Sequence, residues 1–213
     1  VTWQAASSPL VLSYNIYLAS DTMGGGRSMV AGGSADVGIT RATLPADTAL
    51  SSFSHFLVYT VSELAEQSTP IASALSDSYG LVENLSFVDL DLDDEELGGN
   101  LTWNPPDIID DLVIGYNVWL AEEAPCEACL RSSVSNTSDT LVEIPPETQL
   151  LNWTHFLVYA RSSFAEQSTP ANLLIVDGIA SVSNLSFIDK DLDREEIGGN
   201  FHWERRLQIW IVW

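Results

Sequence analysis

The feature that most constrains this chain is an internal repeat of 100 residues. His55-Phe-Leu-Val-Tyr59 returns at 155–159, Ala65-Glu-Gln-Ser-Thr-Pro70 at 165–170, Asn84-Leu-Ser-Phe87 at 184–187, and Gly98-Gly-Asn100 at 198–200. Across 53–100 and 153–200, 27 of 48 positions are identical. Trp3, Trp103 and Trp203 keep the same step, while Tyr14-Asn-Ile-Tyr-Leu-Ala19 matches Tyr116-Asn-Val-Trp-Leu-Ala121 at an offset of 102. A two-residue length change therefore falls in a loop, where it is tolerated. Self-similarity at a fixed period means a chain assembled from like units. The expected division is a first repeat lacking its first strand at 1–80, a complete repeat at 81–180, and the start of a third at 181–213.

Within a unit, short runs alternate between apolar and polar and are separated by turn residues, which is the pattern of strands. Leu101 and Trp103 share a face, Tyr116 to Leu120 forms another run, and Thr140 to Ile144 precedes Pro145-Pro146. Thr154 to Ala160 is apolar throughout, as a strand covered on both faces would be, and Leu173 to Val176 closes the unit. About seven such strands per repeat, with no helical period, predict an all-β chain of tandem antiparallel sandwiches.

The same residues resemble a fibronectin type III domain, an immunoglobulin-like β-sandwich. Trp103 in Leu101-Thr-Trp-Asn-Pro-Pro106 stands where that family places a core tryptophan, and Tyr116-Asn-Val118 matches its third-strand pattern. Thr154, Phe156, Val158 and Ala160 fall in phase with its sixth strand, followed by a turn echoed in AEQSTP. Phe56 and Phe156 replace the tyrosine of the family's corner, so its hydroxyl bond is lost. The repeats are also similar to tandem repeats of large surface proteins of microbial eukaryotes. The resemblance implies an extracellular or cell-surface structural or adhesive module, with partners among proteins, glycans or neighbouring repeats. The alternative is a carbohydrate-binding or spacer module attached to an enzyme outside these residues. The unequal aromatic pairs Trp119 with Tyr17 and Trp153 with Phe53 bear on that alternative. No Arg-Gly-Asp motif is present to carry over integrin binding.

Charge narrows the partners. Thirty acidic against eight basic residues give a formal net charge of −22, which repels phosphate backbones and anionic membranes. Nucleic-acid binding is excluded on this ground, and no apolar run is long enough for a membrane-spanning helix. Five Asn-x-Ser/Thr sequons, at Asn84, Asn100, Asn136, Asn152 and Asn184, point to a secreted glycoprotein. Cys126 and Cys129 have the spacing of a small loop disulfide, with free thiols or half a zinc site as alternatives.

The densest chemical signal is acidic. Asp89, Asp91, Asp93, Asp94, Glu95 and Glu96 recur as Asp189, Asp191, Asp193, Glu195 and Glu196. Oxygen-rich runs of this kind suit Ca²⁺, with Asp89, Asp91, Asp93, Glu95, Asp189, Asp191, Asp193 and Glu195 as the ligand set. The spacing is not that of an EF-hand, because Asp94 and Asn100 stand where glycine and glutamate are needed. The competing reading is a solvated turn, in which Val88, Leu90 and Leu92 face inward and the aspartates face out. No other cofactor and no catalytic residue is expected: His55 and His155 repeat as scaffold positions, and Gly24-Gly-Gly26 lacks the context of a phosphate loop. Two strands at 181–213 would be marginal alone. The apolar tail holding Trp210 and Trp213 would be prone to aggregate if exposed.

Overall fold

The computed structural model describes residues 1–107, 112–126 and 128–205, so the tail from 206 onward lies outside the described residues. Among the described residues there are thirteen strands and no helix, and no helix long and apolar enough to cross a membrane. All pairings are antiparallel. The chain separates into two compact units, Val1–Tyr79 and Gly80–Trp213.

The first unit holds one sheet. Strands β1 (Ser13–Ala19), β2 (Ser28–Asp36), β3 (His55–Val61) and β4 (Ile71–Ala74) run in the order β2-β1-β3-β4. Alternation along β1 sends Tyr14, Ile16 and Leu18 to one face, where they pack with Val30, Ala35 and Val58. Opposite that face the chain offers only a stub. The Trp3 amide donates to the Thr40 carbonyl at 3.0 Å, and Thr2 bridges Arg41. Trp3 meets Tyr14 edge-on, with ring centroids 5.4 Å apart, and stays partly exposed.

The second unit completes what the first begins. Strands β5 (Glu83–Phe87), β6 (Glu96–Asn104) and β9 (Leu141–Gln149) form a sheet in the order β5-β6-β9. Strands β7 (Gly115–Ala121), β8 (Arg131–Thr137), β10 (His155–Arg161) and β11 (Ala171–Leu174) form another, ordered β11-β10-β7-β8. One core joins the two. Leu97, Leu101 and Trp103 of β6 and Val142 and Ile144 of β9 pack with Tyr116, Val118 and Leu120 of β7 and Phe156, Val158 and Ala160 of β10. Two antiparallel sheets sharing one apolar layer are compatible with a β-sandwich.

The hydrogen bond from Trp103 to the Thr140 carbonyl, at 3.1 Å, repeats that of Trp3, and Trp103 meets Tyr116 edge-on at 5.3 Å. Phe156 packs in the core against Phe87, with ring centroids 4.9 Å apart. β10 is buried on both faces because Leu157 and Tyr159 pack outward with Ala121, beneath Trp119 and the Cys126–Cys129 disulfide. The closing strand ends at Leu174 and does not reach Val176, since Leu174 already faces His155, the first residue of its partner. Gly99, at φ +148°, is required where β5 and β6 close up, because a Cβ there would lie 2.5 Å from the Val88 carbonyl oxygen. Strands β12 (Val182–Asp189) and β13 (Gly199–Arg205) pair only with each other. They leave Leu185, Phe201 and Trp203 exposed.

Register fixes two ends of the complete repeat. Gly115 opposes Arg161, which gathers 105–107, 112–114, 138–140 and 162–165 at one end. Ala121 opposes His155, which gathers 122–126, 128–130, 150–154 and the acidic turn 88–95 at the other.

Candidate functional site

The acidic turn joins β5 to β6, and it is built inside out relative to the solvated reading. Asp91 is 8 % exposed, whereas Val88, Leu90 and Leu92 all face solvent, Leu90 at 69 %. The expectation that the leucines point inward is thus corrected. The reason is backbone hydrogen bonding: 88–95 is not in a ladder, so its amides and those nearby need acceptors, and the carboxylates supply them. Asp89 Oδ1 accepts from Gly98 at 2.9 Å and from Asp91 at 3.2 Å, and its Oδ2 accepts from Gly178 at 2.9 Å. Asp91 Oδ2 accepts from the Glu147 amide at 2.7 Å and Oδ1 from Asp93 at 3.2 Å.

Four carboxylates converge as a result. Asp91, Asp93, Glu96 and Glu147 each present an oxygen, and these lie within 4.8 Å of one another. Of the sequence-level ligand set, the structure brings Asp91 and Asp93 together and leaves out Asp89, which caps backbone amides. Glu95 sits at φ 65° and gives its amide to Asp177 Oδ2 at 2.9 Å, outside the group. In the third copy Asp191, Asp193 and Glu196 converge, while Asp189 accepts from Asp191 and Gly198 and Glu195 again stands apart at φ 66°.

Glu147 was not apparent from sequence. It arrives through a bulge: between Leu97↔Thr148 and Gly99↔Ile144, β9 spends Pro145, Pro146 and Glu147 against Gly98 alone. The amides of Glu147 and Asp93 hold the Asp91 carboxyl below its ordinary range, against a smaller opposing effect of burial. Glu147 moves the other way. A hydrogen bond shared with the Glu96 carboxyl, then the charges of Glu96 and Asp91, raise it. Glu147 thus carries the repulsion of its neighbouring carboxylates, within a set of oxygens of the kind that a hard divalent cation takes.

A second repeated group lies on the outer face of the β10–β7 and β3–β1 pairs. In the first unit Arg27 stacks over Tyr17 and Tyr59, at 4.5 and 4.6 Å, and pairs with Glu66 at 2.9 Å. Glu66 also accepts from Asn15 at 2.7 Å and from the Tyr17 hydroxyl at 2.9 Å. Burial works to raise its carboxyl, but these hydrogen bonds and Arg27 together hold it low. In the second unit Arg131 covers Trp119 at 4.4 Å and Asn117 donates to Glu166. The Trp119 ring is therefore occupied by a guanidinium and is not a free stacking platform. Trp153 packs against the core. The role of the glutamate of AEQSTP was not apparent from sequence; its return at Glu66 and Glu166 was the available signal.

The histidines are accounted for by local bonds. The Ser54 hydroxyl donates to the Ser20 carbonyl at 2.8 Å, and Thr154 donates to Glu122 at 2.5 Å. Each hydroxyl has spent its hydrogen, so the Nδ1 of His55 at 2.8 Å, or of His155 at 2.7 Å, meets it as a donor and does not draw its proton.

No protein-family model matches the chain, and no curated protein matches it.

Proposed function

We propose that the chain is a non-catalytic spacer and adhesion module of an extracellular or cell-surface protein, built of tandem fibronectin type III-like sandwiches of about seven strands. The observation that carries this reading is the strapping of the chain where it leaves the complete repeat. Gly178 donates to Asp89, Glu95 donates to Asp177, and the Ala180 amide donates to the Leu92 carbonyl at 3.0 Å. Three bonds in four residues restrict the direction in which the next repeat departs, which is what a spacer requires and a catalytic domain does not. Three strands on one sheet and four on the other, over one core, support the family reading. The Cys126–Cys129 disulfide supports an oxidising compartment. Ca²⁺ is the ion that the Asp91, Asp93, Glu96 and Glu147 group would take, bracing the same end of the repeat.

The test is secretion of the 213-residue chain behind a eukaryotic signal sequence, followed by mass spectrometry of the product. The expected result is folded, exported protein with Cys126 joined to Cys129 and glycan on exposed sequons such as Asn152 in its turn. Export with free thiols and every sequon bare would sink the extracellular reading.

A further inference from the structure

The acidic turn carries an apolar edge that its own repeat does not use. Val88, Leu90 and Leu92 stand exposed between buried or hydrogen-bonded acids, at the end where the chain leaves the repeat. At the opposite end, where the chain enters, Leu112, Ile114 and Phe164 are exposed too, Phe164 at 61 %. That second set recurs in the first unit as Leu10, Leu12 and Leu64, with Leu64 at 94 %. The complete repeat thus pairs an apolar exit with an apolar entrance. The exit strand is tied to Leu92 through Ala180, and β12 begins two residues later at Val182, where it opposes Arg205, so the following repeat starts beside this edge.

We infer that Val88, Leu90 and Leu92 form a socket for the entrance end of the next repeat, with the residue at the Phe164 position of the 162–165 turn as the plug. This rests on the tandem reading above and assigns its junction. The occupant is another copy of the same repeat because chain connectivity brings it there and because its exposed entrance is apolar where the socket is apolar. A net charge of −22 keeps such surfaces from meeting at random, so covalent tethering selects the contact. The third copy places Lys190 at the Leu90 position, which makes Leu90→Lys a substitution that the turn itself accommodates.

The experiment inserts one further copy of residues 81–180 after Ala180, so that a complete repeat follows the socket. Leu90→Lys with Leu92→Ser is introduced in the original chain and in the first socket of the lengthened chain, and thermal midpoints are compared. The expected result is no shift in the original chain and a fall of several degrees in the lengthened one. Phe164→Ser in the inserted copy should produce the same fall, and the two changes together should produce no more than either. Equal shifts in both chains would mean that the leucines serve their own repeat, and no shift in either would mean that the socket is empty; each overturns the inference. An inserted repeat that does not unfold cooperatively would overturn the tandem reading and the junction together.

Discussion

Trp103 and Trp203 are the same residue of the repeat in two states of completion, and that difference sets a measurable stability gap. Trp103 is 4 % exposed, between β9 and the edge of Tyr116; Trp203 is 60 % exposed on a two-stranded sheet. Burying a tryptophan fully covers roughly 150–250 Å², and at about 25 cal/mol per Å² this is worth roughly 4–6 kcal/mol. Measured Trp→Ala losses in cores run at about 3–5 kcal/mol. Trp103→Ala should therefore remove about 3–5 kcal/mol, a large share of the roughly 5–15 kcal/mol that holds a domain folded. Trp103→Phe should cost only about 1–3 kcal/mol and leave a clean transition. Trp203→Ala should cost nothing in that transition, because among the described residues β12 and β13 have no second sheet to lock them in place. Urea unfolding followed by far-ultraviolet circular dichroism, with a common slope, gives the three midpoints. The reasoning is refuted if Trp203→Ala lowers the midpoint as far as Trp103→Phe does, for then the third copy would possess a core of its own.

Ca²⁺ should raise the thermal midpoint, and Asp93→Asn or Glu147→Gln should abolish the rise; Asp89→Asn should destabilise equally with Ca²⁺ or chelator, since Asp89 caps Gly98 and Gly178. In chelator the two perturbed carboxyls pull stability in opposite directions with pH. Asp91, held below its ordinary value of 3.8, contributes stability above that value and loses it as pH falls through its lowered folded value. Glu147, raised above 4.5, contributes below 4.5 and loses that contribution as pH rises through its raised value, so Glu147→Gln should be more stable than the parent at neutral pH and equal to it in acid. Loss of the disulfide through Cys126→Ser and Cys129→Ser should cost no more than about 2 kcal/mol by loop entropy, because the bridged residues are only three apart in sequence; a larger loss in urea would mean that the loop supports the Trp119 face. Added NaCl should raise the midpoint at neutral pH by screening an unbalanced −22, and a fall on salt addition would show that attractive pairs dominate.

The all-β class and the antiparallel sheets were legible because alternation is a local property of the chain. Tyr116, Val118 and Leu120 read as one face in the sequence and pack as one face in the core. The turn was legible as a place but not as an arrangement. Between Val88 and Glu95 the chain leaves the ladder, so period two no longer says which side faces in, and the demands of unpaired amides decide instead. That is how Asp91 comes to be buried and Leu90 exposed. Glu147 lies 56 residues from Asp91 and reaches it only through a bulge at Pro145-Pro146, a register jump that no local pattern announces. The stacked Arg27 and Arg131 were hidden for a related reason: they become equivalent through strand pairing, as Arg131 opposite Ala121 shows, and not through the 100-residue step.

The charge of the chain and its fold are connected through hydrogen bonding more than through ion pairs. Among the described residues there are two salt bridges, Arg27 to Glu66 and the exposed Arg194 to Glu195. The acids that repeat are used differently. Asp89, Asp91, Asp189 and Asp191 accept from amides in turns, and Glu66 and Glu166 accept from an asparagine of the central strand. A carboxylate in such a role is anchored whether or not a cation is near, because charged acceptors form the stronger bonds to amides. Acidity can then accumulate without loosening the sheets, and its cost falls where the carboxylates crowd, at Asp91, Asp93, Glu96 and Glu147. The end of the second unit that holds the chain at 177–180 is also the end where these carboxylates crowd, so a cation bound there would act on that turn before it acted on the core.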